Sequence, residues 1–100
     1  MKTFEDLVFM VWPQLPESQK NAPVPEHEDA RQAIMHFENG YGISVLKGDI
    51  FYSNGTDTYE VGILHNGGLC YDTPITNDVI GYVTSEQITD IMKRIQELKE

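Results

Sequence analysis

Apolar positions along this chain repeat with three different periods. Leu7 to Trp12 ("LVFMVW") is a continuous apolar run rich in residues that favour strands, and Pro13 closes it. Such a run predicts a buried strand. Thr3, ahead of Phe4-Glu5-Asp6, is placed to open a short turn before it. "QAIMHF" (32–37) and "YGISVLKG" (41–48) flank Asn39-Gly40, a pair that accepts positive φ at both positions, so a hairpin is predicted over 32–48. On its second strand Tyr41, Ile43 and Val45 share one face, and Gly42, Ser44 and Leu46 the other. Thr58 to His65 alternates in the same way, with Tyr59, Val61 and Ile63 pointing together. Asn66-Gly67-Gly68 then predicts a tight turn, and Leu69 to Thr73 a returning strand.

The period changes to 3.6 at the end of the chain. Ile88, Ile91, Met92, Ile95 and Leu98 form one apolar stripe of a helix. Thr84 is a suitable N-cap, and Gln87 three residues on completes a capping box. Val83 and Ile88 occupy the two positions of a hydrophobic staple. The predicted fold class is therefore α+β: a mostly antiparallel sheet of about four to five strands, with one C-terminal amphipathic helix packed on one face. One helix covers one face only. The other face needs a lid, a partner or polar side chains.

Residues 13–31 break the pattern. "PQLPESQKNAPVPEHEDAR" contains four of the five prolines and no periodic apolar positions, which predicts a long surface loop. The segment before it is too short to fold alone, so residues 1–100 are expected to form a single domain.

Charge narrows the partners. Sixteen acids stand against seven bases, for a net charge of −9. A surface of that sign repels phosphate, so direct nucleic-acid binding is not expected. It suits a partner with a basic surface, including a protein that itself binds nucleic acid. No apolar run approaches the roughly 18 residues of a membrane span, and acids follow Lys2 too closely for a signal peptide. The single cysteine forms no internal disulfide, which fits a reducing compartment.

Several residues carry candidate chemistry. Cys70 could act as a nucleophile if a base such as His65 reached it, but a small apolar strand residue explains it as well. Asp72 and Asp78, with Glu60, could supply paired carboxylates. Asp72 and Asp78 also bracket "TPITN", where they would cap a turn. His27, His36 and His65 lack the short spacings of a zinc site, so no metal is expected, and no glycine pattern matches a nucleotide loop, so no cofactor is expected. Phe51, Tyr52, Tyr59, Tyr71 and Tyr82 recur along the sheet region, either to cover its second face or to anchor an interface. The residues expected to contact a partner are Glu26, Glu28 and Asp29 in the Pro-rich loop, and Asp49, Tyr52 and Asp57 around the 49–58 connection.

"KTFEDLVF", "NGYGISV", "YEVGIL" and "LCYDTPITNDVIGY" before a terminal helix together resemble a group of small proteins encoded by tailed bacteriophages. The likeness excludes the Pro-rich loop and transfers no catalytic residue. It implies the bacterial cytoplasm during infection, where small acidic phage proteins often bind and redirect or block host proteins. The expectation is a non-catalytic accessory protein that binds a host protein with a basic surface, such as a defence or nucleic-acid-binding protein. Two alternatives stand beside it: a homo-oligomeric structural or virion-associated protein, and a small enzyme using Cys70 or Asp72 and Asp78.

Overall fold

The cleanest alternation in the sequence builds the centre of the sheet. The computed structural model describes residues 1–11, 30–48, 51–54, 57–66, 68–70, 73–75 and 79–99. Its strands are β1 (Met10–Val11), β2 (Arg31–His36), β3 (Tyr41–Lys47), β4 (Tyr59–His65), β5 (Gly68–Leu69) and β6 (Ile80–Val83), followed by the helix α1 (Ser85–Gln96). All the pairings are antiparallel, in the order β1-β2-β3-β4-β5, with β6 also on β4. The fold is thus the α+β arrangement that the periodicity predicts.

Register sets the two faces. Ala33, Val45 and Val61 lie across from one another, as do Met35, Ile43 and Ile63. Ile43, Val45, Val61 and Ile63 are fully buried against Ile88, Met92 and Ile95 of α1. Each such side chain contributes about 1.5–3 kcal/mol through burial, as an upper bound. The helix begins where the capping pattern places it. Thr84 Oγ1 accepts from the Gln87 amide (3.3 Å), and Gln87 Oε1 accepts from the Thr84 amide (2.8 Å).

Three expectations are corrected. The Leu7–Trp12 run is not a buried strand: of its described residues only Met10 and Val11 join the sheet, and Val8 and Met10 are 74% and 54% exposed. The chain before them is held elsewhere. The turn at Phe4–Asp6 is tied to α1, with the Phe4 amide donating to Thr89 Oγ1 (3.1 Å) and Lys2 and Gln96 exchanging two bonds of 2.9 Å. Phe4 and Phe9 then pack around Tyr59, with ring centroids 5.3 and 5.7 Å away. Trp12 lies outside the described residues.

The second correction concerns the 69–73 strand, which stops at Leu69, although the Cys70 amide still donates to Ile63 O (2.7 Å). The rest of the β4 edge is taken by β6, a strand the sequence reading did not assign. The third concerns the β2–β3 turn. Only Gly40 has positive φ (86°), because the loop is three residues long and needs one left-handed position rather than two. The Pro-rich segment falls outside the described residues except for its last two, Ala30, which is buried, and Arg31, which opens β2.

Candidate functional site

The β4–β6 pairing carries an irregularity that exposes two aromatics. Tyr59 pairs with Val83 and Val61 with Ile80, so Gly81 and Tyr82 together face the single residue Glu60. This is a β-bulge, a device that re-aims a side chain. Tyr82 takes φ +55°, a conformation that costs a non-glycine residue about 1 kcal/mol. Its ring reaches solvent (61% exposed) beside that of Tyr52 (60% exposed), with centroids 6.4 Å apart at 50°.

The backbone beneath the rings is tightly fixed. The Tyr82 amide donates to Tyr52 O (2.8 Å), and the Tyr52 amide donates to Glu60 Oε1 (3.1 Å). Gly81 makes this possible, since a Cβ there would sit 2.6 Å from Tyr52 Cβ. Two exposed tyrosines and a carboxylate are thereby held together by main-chain bonds. Large amphipathic rings held rigidly lose little entropy when a partner covers them.

Of the residues expected to contact a partner, Tyr52 belongs to this constellation. Asp57 sits in the same connection, but its carboxylate is engaged locally. Its Oδ1 accepts from Asn54 Nδ2 (2.6 Å), while Asn54 Oδ1 accepts from the amides of Asp57 (3.0 Å) and Thr58 (3.1 Å). Asp57 also faces Tyr59, whose hydroxyl pKa is raised above 10.0 by burial first and by that carboxylate second. Glu26, Glu28, Asp29 and Asp49 lie outside the described residues, as do Asp72 and Asp78. The sequence pattern offers Glu60 only as a paired carboxylate, and Tyr82 only as one of the aromatics that cover the second face or anchor an interface; neither is among the residues expected to contact a partner. The signal available for them was Gly81, a residue without a side chain inside a strand-forming stretch.

The other sheet face forms a shallow trough of about 320 Å³. Ile34, Ser44 and Gly62 run across its middle, with Leu46 and Glu60 on one side and Leu64 on the other. Leu69 and Val79 lean over Gly62, and Gln32 Nε2 donates to Ser44 Oγ (3.1 Å). Among the described residues the second face is met by partial cover and polar pairing. Of the aromatics expected to cover it, Tyr59 turns to the helix side and Tyr52 and Tyr82 turn to solvent, while Tyr71 lies outside the described residues.

Cys70 is half-buried. The His65 ring stacks on its cross-strand neighbour Tyr41, with centroids 4.3 Å apart at 17°. Among the described residues no group of three or more His, Cys, Asp or Glu is arranged to hold a metal ion, and no helix is long and apolar enough to cross a membrane. No family model, curated protein or solved structure matches the chain.

Proposed function

We propose that this protein is a non-catalytic binding module that docks on a basic surface of a partner protein. The observation that supports this best is the Tyr52–Tyr82 pair, raised by a bulge in which Tyr82 adopts an unfavourable backbone conformation. Strain of that kind persists where the surroundings enforce it, and it clusters at functional positions such as active sites, ligand clamps and switch regions. Glu60 adds a carboxylate beneath the rings, and the net charge of −9 favours encounter with a cationic partner. The resemblance to tailed-phage proteins supplies the setting: a host protein in the bacterial cytoplasm, with a nucleic-acid-binding or defence protein suited to so acidic a surface. Affinity capture from bacterial lysate at low and high salt tests this. A partner retained at low salt and released at high salt is expected. Capture that is indifferent to salt contradicts the electrostatic half of the reading.

A second reading, self-association, rests on a separate observation. β1 pairs only with Arg31 and Gln32, which leaves the outer edge of β2 from Ile34 to His36 without a strand partner among the described residues. Ile34 beside it is 48% exposed, and no lysine or proline blunts the edge there. Light scattering of wild type and Ile34→Lys decides: a dimer that the substitution dissociates supports this reading, and a wild-type monomer at tens of micromolar removes it.

A further inference from the structure

The trough opposite the helix has a chemistry that the exposed tyrosines do not explain. Its base is the small residues Ser44 and Gly62, over which Leu69 and Val79 lean, and its apolar rim is Leu46 and the exposed Leu69. One carboxylate, that of Glu60, stands on the wall beside Gly62, and no lysine or arginine is among the described residues that line the trough. Glu60 accepts a main-chain amide from Tyr52, which fixes one oxygen without neutralising its charge. A half-buried carboxylate next to apolar walls attracts a cation that brings its own apolar stem.

We infer that the trough receives a lysine side chain of the partner, with the four-carbon stem along Leu46 and the exposed Leu69 and the ammonium on Glu60. This deepens the binding-module reading and rests on it. Glu60 belongs to both features, since it holds the Tyr52 amide and lines the trough, so a partner covering the two tyrosines lies next to the trough mouth. Lysine fits better than arginine, because a point charge needs only the Glu60 oxygen that the Tyr52 amide leaves unengaged, whereas the two-point grip of a planar guanidinium competes with that amide for Oε1.

Amide-resolved NMR titration of the full chain tests this with three probes: N-acetyl-lysine amide, N-acetyl-arginine amide and N-acetyl-norleucine amide, which keeps the four-carbon stem and lacks the ammonium. The lysine probe is expected to shift the Ser44, Gly62 and Leu69 amides saturably, and to bind about three- to fivefold more tightly than norleucine, the worth of one partly exposed ion pair. Glu60→Gln keeps the acceptor for the Tyr52 amide, so the fold is retained. It should bring lysine down to the norleucine level and leave norleucine unchanged. No shift at those amides with any probe, equal binding of lysine and norleucine, or tighter binding of arginine overturns the inference. A silent trough together with salt-sensitive capture would sink the lysine site alone and leave the binding module standing. A responsive trough without any captured partner would do the reverse.

Discussion

The side-chain amide of Asn39 donates to the main-chain oxygen of Leu98 at 2.9 Å, and to that of Ile95 at the same distance. A turn residue between β2 and β3 thus closes the C-terminal end of α1, where carbonyls have no partner within the helix. Its Oδ1 accepts from the Tyr41 amide (3.1 Å), so one side chain fixes hairpin and helix together.

Asn39→Ala should therefore cost about 1–2 kcal/mol, since it takes the side-chain donor from the part-buried Leu98 carbonyl, while Ile95 O keeps the Leu98 amide (3.0 Å). Urea unfolding of the two proteins measures this. A loss below roughly 0.5 kcal/mol, the size of an ordinary surface substitution, would show that the link is incidental.

At the other end of α1, Thr84→Ala removes the acceptor for the Gln87 amide and should cost about 1 kcal/mol. In a domain of this size that is a fall of about 4–8 °C in the thermal midpoint. Thr84→Ser keeps the acceptor and should restore most of the loss. An alanine variant as stable as wild type would mean that packing of Ile88, Ile91, Met92 and Ile95 alone sets the helix start.

Tyr59 gives a pH dependence of known sign. Burial, and then the Asp57 carboxylate, raise its pKa above 10.0, so the folded protein holds the phenolic proton more tightly than the unfolded chain. The stability linked to this group is fully present below pH 10.0 and is lost as pH rises through the raised folded-state value. Between about pH 8 and about pH 11 the wild type should lose more stability than Tyr59→Phe, as read by urea unfolding at each pH. Equal losses would contradict the assignment.

Local rules reach far into this fold. The alternation of Tyr41, Ile43 and Val45, and of Tyr59, Val61 and Ile63, identifies the core face, and Thr84 with Gln87 places the start of the helix. The failures have physical causes. "LVFMVW" has strand composition, but the bonds from Lys2 and Phe4 to Gln96 and Thr89 draw its first half away from β2, and these are contacts across almost the whole chain. Gly81-Tyr82 falls in a stretch to which the sequence pattern assigns no strand. Only the pairing of two residues against Glu60 reveals the bulge, and register with a distant strand is not written in either segment. Tyr52 was legible as a contact residue; Tyr82 was legible only as one of the recurring aromatics, and its presentation by a bulge was hidden for that reason.

The central claim is that Tyr82 is held in an unfavourable conformation in order to be presented. Tyr82→Gly tests it most directly, because glycine accepts φ +55° at no steric cost. The account predicts that urea unfolding will show Tyr82→Gly at least as stable as wild type, and about 1 kcal/mol more stable than Tyr82→Ala. It also predicts that the glycine variant no longer captures the partner that wild type retains at low salt. A glycine variant that unfolds clearly earlier than wild type, or that captures the partner undiminished, would make the ring a packing element and contradict the account.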